Sequence, residues 1–277
     1  MVGMDFGLSG WAILTVGAGI AGWIDAVIGG GGLVLIPLIM AVAPQLAPAT
    51  ALATNKVAAV SGTASAALTL VKKVRPPKGE LIRMGLTALV CSGLGATAAA
   101  LMDKDIMRPI IIVLMVAVGI FVAFRPDFGK GHGIRGGWRT WAGVAAVAAI
   151  AFYDGIFGPG TGMFLIMAFT AIFSQNFLTS AAMSKVVNTC TNVGALVVFI
   201  VGGHVLWGLA LVLAAANIIG AQLGARTVLG GGAKLIRYAL LILVVVMSVY
   251  LAWQQWGYFV FAVATAFHGS SGHGCLG

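Results

Sequence analysis

The sequence has 277 residues, 60% of them apolar and 8% charged, with a mean hydropathy of +1.06; a soluble domain carries about 25% charged residues, so this composition belongs to an integral membrane protein. Its 40 glycines follow no collagen period, and its apolar runs far exceed the ~10 alternating residues of a barrel strand, which leaves an all-α polytopic bundle. The net charge of +9 would suggest nucleic acid in a soluble protein, but in a membrane protein the cations first report topology, and no nucleic-acid role is expected.

Ten apolar segments follow in chain order: 8–28, 33–43, 47–71, 81–101, 106–124, 138–157, 163–173, 178–201, 205–225 and 235–253. No Lys or Arg precedes the first, and Asp5 and Asp25 accompany it. It therefore lacks the basic start of a cleaved signal peptide and reads as a retained segment. Segments 33–43 and 163–173 hold 11 residues each. At ~1.5 Å per residue such a helix covers about 16 Å of a ~30 Å hydrocarbon core, so both are short, broken or re-entrant. Residues 258–267 are apolar but too short to span, and read as interfacial, with a flexible Gly/Ser/His end.

Basic residues gather at three connections: Lys72, Lys73, Arg75, Lys78 and Arg83 at the third, Arg125, Lys130, Arg135 and Arg139 at the central loop, and Arg226, Lys234 and Arg237 at the last. These twelve of the sixteen mark the cytoplasmic side. Lys104 and Arg108 flank the fourth connection, and Lys56 and Lys185 lie inside apolar segments. With every segment counted as a crossing, both termini and the turns at 102–105 and 202–204 fall on the far side. A re-entrant 163–173 would turn the basic last loop outward, so parity favours a short crossing. Cys91, Cys190 and Cys275 form no C-x-x-C or Cys/His cluster, and His132, His204, His268 and His273 fall in loops or the tail. No disulfide framework, metal site or cofactor is expected.

Shifting the sequence against itself by 129 residues, without a gap, superposes Asp25 on Asp154, Gly29 on Gly158, Gly31 on Gly160, Thr50 on Thr179, Lys56 on Lys185, and Arg108 on Arg237, with Leu94, Gly95 and Ala96 on Leu223, Gly224 and Ala225. Matches of Asp, Lys and Arg carry weight because these residues are rare here and expensive in lipid. The organisation expected is a first transmembrane repeat at 1–124, a cytoplasmic linker at 125–137, a second repeat at 138–256 and a tail at 257–277. Lys72 to Lys78 follow the third segment of the first copy, whereas the equivalent turn at 202–204 has no Lys or Arg. Equivalent loops thus face opposite compartments, as in the inverted repeats of many secondary transporters, which hold substrate near the midplane between copies. A duplicated scaffold without transport is the alternative.

Two Gly-rich breaks, Asp25-Ala-Val-Ile-Gly-Gly-Gly-Gly32 and Asp154-Gly-Ile-Phe-Gly-Pro-Gly-Thr-Gly162, would end a helix and leave backbone N–H groups that lipid cannot satisfy. The N-termini of the short helices that follow are anion sites in waiting, with Gly31, Gly32, Gly160 and Thr161 as the candidate contacts. Close helix packing through small residues is the alternative. Lys56 and Lys185 lie too deep to be loop residues. Two lysines and two aspartates would cost about 10–14 kcal/mol in lipid if unpaired, which implies use. Lys185, Asn188 and Asn192 share a helical stripe, matched by Lys56, Ala59 and Thr63; Asn55 and Ser184 sit about 100° round the helix. Together these donors suit a small, highly charged oxyanion. Alternatively the lysines neutralise Asp25 and Asp154 as buried ion pairs, or snorkel to an interface. Asp25 and Asp154 could themselves carry a coupling proton or Na+. Arg108 and Arg237 read as interfacial anchors ahead of vestibule charges.

The Asp-x-x-x-Gly-x-Gly breaks, the Thr-Asn-Lys56 and Ser-Lys185 positions, the two-copy layout and the length resemble the TauE/SafE family of sulfite exporters over residues 8–256. The second copy differs in having Pro159 for Gly30 and Ser184 for Asn55. The resemblance implies a multi-pass protein of the bacterial inner membrane that exports sulfite, sulfoacetate or a related organosulfur anion. The expectation is a secondary transporter binding that anion through Lys56, Lys185, Asn55, Asn188 and Asn192 at the junction of the breaks. Its rivals are a proton- or cation-coupled carrier of another solute centred on Asp25 and Asp154, and a membrane scaffold. A membrane enzyme is disfavoured, because no nucleophile is paired with a base.

Overall fold

The computed structural model describes residues 7–102, 107, 110, 111, 113, 114, 117 and 138–230. Eight α-helices and no strands occur among them: α1 Gly7–Ile28, α2 Gly32–Val42, α3 Pro48–Val74, α4 Lys78–Ala100, α5 Trp138–Ile156, α6 Thr161–Phe173, α7 Phe177–Val201 and α8 Trp207–Leu229. Five of them, α1, α3, α4, α7 and α8, are long and apolar enough to cross a membrane. Segments 106–124 and 235–253, the linker 125–137, the tail 257–277, and with them Arg108, Arg237, His132, His268 and His273, lie outside the described residues, although positions 107, 110, 111, 113, 114 and 117 are helical.

Helix ends follow local chemistry. Pro48 occupies the first turn of α3, where its missing N–H is not needed. The Asn176 side chain caps α7 by accepting from the Thr179 N–H at 2.9 Å. α3 and α8 both run past the apolar segments from which they were predicted, because Lys72, Lys73 and Arg226 occupy their last turns, where cations complement the helix dipole. α2 and α6 are the short pair, with 11 and 13 residues.

Adding 129 to the first residues of α2, α3 and α4 gives those of α6, α7 and α8. Packing repeats in the same way: α1 lies along α8 as α5 lies along α4, and α3 against α8 as α7 against α4, while α3 and α7 meet each other. Every one of these contacts joins a helix before residue 101 to one after residue 137. Small residues permit the close crossings: a Cβ on Gly224 would meet Ala26 Cβ at 2.7 Å, and one on Gly155, the equivalent of Ala26, would meet Gly95 Cα at 2.9 Å. The outer surface is apolar, with Leu8, Leu86, Leu94, Ile219 and Val201 all more than half exposed, as expected for a surface that meets lipid rather than water.

Candidate functional site

α1 ends where Gly29 adopts φ +86° and donates its N–H to the Asp25 carbonyl at 2.8 Å. α5 also ends at a left-handed glycine, Gly158 with φ +88°, after the Phe157 N–H donates to the Tyr153 carbonyl at 3.0 Å. Left-handed backbone is easy for glycine and strained for other residues, which explains why the turn falls there. Gly31, φ −57°, donates its N–H to Asp25 Oδ1 at 3.2 Å. In the second break Thr161 donates its hydroxyl to the Gly158 carbonyl at 2.8 Å, and Tyr153 donates its phenol to the Pro159 carbonyl at 2.8 Å.

The two breaks touch. The Met163 N–H donates to the Gly29 carbonyl at 3.3 Å. A Cβ on Gly162 would lie 2.5 Å from Gly29 Cα, so the two backbones are in direct contact. Ser184 of α7 fastens the junction by donating to the Gly162 carbonyl at 2.8 Å.

Two buried ion pairs flank this junction, and both are crossed. Lys56 of α3 reaches Asp154 of α5, donating to Oδ2 at 2.7 Å and to the main-chain carbonyl at 2.8 Å. Lys185 of α7 reaches Asp25 of α1 with the same two bonds, to Oδ2 at 3.2 Å and to the Asp25 carbonyl. Each ammonium therefore sits at a helix C-terminus, meeting a carboxylate and the negative end of the dipole together. Pairing, with the added bond to a main-chain carbonyl, offsets part of the cost of holding these charges away from water. An ammonium has three donors, and Asp occupies two of them in each case. The pairs differ in access: the Lys56 and Asp154 side chains are both 3% exposed, whereas Lys185 is sealed at 0% and Asp25 is 16% exposed.

The other candidate residues divide by how they are engaged. Ser184, Thr161 and the Gly31 N–H are bonded within the protein. Asn192 donates to Asn188 along α7, at 2.7 Å to the carbonyl and 3.3 Å to Oδ1, so these two amides form a buried ladder. Asn55 is 5% exposed, yet its amide bonds to no described residue. The N–H groups of Gly32, Gly160 and Gly162 likewise have no acceptor among the described residues. His204 stacks edge-on against Phe199 at 6.3 Å, and no group of three metal-ligating side chains occurs among the described residues.

Sequence reasoning missed Tyr153, whose polar tip beside Asp154 was the available signal, and the inter-helix ties of Ser92 to the Thr191 carbonyl at 2.7 Å and of Asn217 to the Ala18 carbonyl at 3.0 Å. Each of the latter is a buried polar side chain bonded to a neighbouring helix, a common form of interhelical glue.

The sequence model of the family described as "Sulfite exporter TauE/SafE" matches residues 14–251. The chain is 35% identical over 246 residues to "Probable membrane transporter protein YfcA" of Escherichia coli (strain K12), covering 88% of this chain and 90% of the relative. It is 33% identical over 258 residues to a "Probable membrane transporter protein" of Haemophilus influenzae, covering 93% and 100%. A third relative, "Probable membrane transporter protein ORF9" of a Sinorhizobium species, is 32% identical over 240 residues, covering 87% and 91%. No solved structure matches the chain.

Proposed function

This chain belongs to the TauE/SafE sulfite exporter family, which makes it a multi-pass bacterial membrane transporter rather than an enzyme, and from that premise we propose that it exports sulfite or a related small organosulfur anion by alternating access. The reading rests on one observation: two lysines that are costly in lipid are held at a junction of two broken helices, each paired with an aspartate of the other half. An arriving oxyanion competes with the carboxylates for the ammonium groups, using the third donor of each lysine, the Asn55 amide, the Asn188–Asn192 ladder and the amides of Gly32, Gly160 and Gly162. Because each pair bridges the halves, opening one loosens the contact that holds the halves together. That is the coupling between binding and movement that alternating access requires.

In this proposal residues 1–124 and 138–256 are two repeats of opposite orientation joined by a cytoplasmic linker, and both termini face away from the cytoplasm. The absence of Lys and Arg from the turn at 202–204, against the five cations at the third connection, supports that orientation. A carboxylate displaced from its lysine takes up a proton or Na+, so Asp25 and Asp154 carry the coupling ion.

The test is sulfite flux in proteoliposomes. Replacing a whole pair, Lys56→Gln with Asp154→Asn, keeps the site neutral and should abolish flux while leaving a folded protein; undiminished flux overturns the site. The second reading is a coupled carrier of another solute centred on the aspartates, and it draws on the fact that both lysines are already neutralised. It predicts solute-dependent proton or Na+ movement that no sulfur anion affects.

A further inference from the structure

Far from the junction, cations collect at one end of the bundle. Lys72 and Lys73 close α3, Arg75 caps it, and Lys78 and Arg83 lie in the first two turns of α4. The start of α5 meets Arg83 across a cavity of about 440 Å³, lined among the described residues by Arg83, Thr140, Trp141 and Val144. Neighbouring charges leave Arg83 uncommitted. Glu80, the one acid in the first turn of α4, makes no ion pair with it. Arg139 is turned toward α6, donating from one terminal nitrogen to the Phe173 carbonyl at 2.8 Å with its guanidinium 4.9 Å from the Phe173 ring centre, while its buried Nε has no hydrogen-bond partner among the described residues. The exposed Arg83 guanidinium has no hydrogen-bond or ion-pair partner among the described residues.

From Arg83, positions 86, 90 and 94 continue along the same helical face. Leu86, Val90 and Leu94 are 62%, 57% and 60% exposed. From Arg83 to Leu94 this stripe runs about 16 Å, close to half of a ~30 Å hydrocarbon core. Trp141, 68% exposed, lines the cavity at its head, and Trp138, 72% exposed, lies one turn earlier on α5; amphipathic rings favour the membrane interface. A cation on α4, a hydroxyl near the start of α5, an aromatic wall, and an apolar track one leaflet long form a set that a soluble anion would use only in part.

We propose that this groove is a binding site for an anionic glycerophospholipid. Its phosphate is held by Arg83 and the Thr140 hydroxyl, and one acyl chain lies along Leu86, Val90 and Leu94.

The full-length protein in neutral detergent is titrated with brominated phosphatidylglycerol, and tryptophan quenching is followed, with brominated phosphatidylcholine as the neutral lipid and inorganic phosphate as a soluble competitor. Phosphatidylglycerol should bind more tightly than phosphatidylcholine. Arg83→Gln with Thr140→Val, both at the protein surface, should weaken phosphatidylglycerol about five- to tenfold and leave phosphatidylcholine unchanged. Trp141→Phe should remove part of the quenching. Equal affinities for the two lipids overturn the proposal, as does full competition by inorganic phosphate. So does a Lys72→Gln plus Lys73→Gln variant that loses as much affinity as the Arg83 variant, because attraction would then come from the whole surface and not from the groove.

Discussion

Lys56 and Asp154 are 98 positions apart in sequence and 2.7 Å apart in space, each side chain 3% exposed. The equivalent pair, Lys185 and Asp25, closes the same link in the opposite direction. Neither lysine neutralises the aspartate of its own half. These pairs are therefore struts between halves, and their energetics should appear in the stability of the assembled bundle as well as in transport.

Removing one member of a buried pair leaves an uncompensated charge. Lys56→Met should destabilise the protein by about 3–5 kcal/mol, and adding Asp154→Asn should restore most of that loss. Thermal unfolding in detergent measures both. A double variant no more stable than the single one would mean that Lys56 acts through something other than Asp154.

The junction between the breaks makes a second, separable demand. Gly29 combines φ +86° with direct backbone contact with Gly162, whereas Gly203 has φ +69° and open space around its Cβ position. Gly203→Ala should cost only the left-handed backbone strain, about 1–2 kcal/mol. Gly29→Ala adds a clash that no side chain can relieve, so it should be the more destabilising by a further 1–3 kcal/mol, approximately, and should abolish flux. Equal unfolding midpoints for the two variants would contradict the packed junction.

Much of this arrangement was legible in the residues. The breaks, the short helices and the deep lysines follow from the low tolerance of lipid for Gly-rich backbone and charge, and the starts of α2, α3, α4, α6, α7 and α8 keep the 129-residue offset. The partner of each lysine did not follow, because a sequence shift that superposes Lys56 on Lys185 and Asp25 on Asp154 is satisfied equally by pairing within a half or across halves. Engagement was also hidden. Ser184 and Asn55 are equivalent by offset, yet Ser184 is bonded to the Gly162 carbonyl and Asn55 to no described residue; hydrogen-bond partners depend on helix rotation of a few tens of degrees, which periodicity does not resolve.

Unequal access to the two carboxylates gives a third expectation. Asp25 is 16% exposed and Asp154 3%, so a probe should reach position 25 first. With Cys91, Cys190 and Cys275 replaced by Ala, and the paired lysine changed to Gln in each case, Asp25→Cys should react with a small water-soluble thiol reagent at least severalfold faster than Asp154→Cys. Equal rates would show that both half-sites are open to water together, which is incompatible with one-sided access.

Asn55 and Ser184 separate binding from architecture. Ser184→Ala removes a buried hydrogen bond and leaves the Gly162 carbonyl short of a donor, so stability should fall by about 1–3 kcal/mol. Asn55→Ala breaks no bond to a described residue and should leave the unfolding midpoint nearly unchanged. If the Asn55 amide donates to the transported anion, its loss removes a charge-assisted hydrogen bond of about 1.5–3 kcal/mol, equivalent to roughly ten- to a hundredfold in affinity. Sulfite flux measured over a concentration series should then show a raised half-saturation for Asn55→Ala and a lowered melting temperature for Ser184→Ala. An Asn55→Ala variant with unchanged half-saturation would take Asn55 out of the binding site.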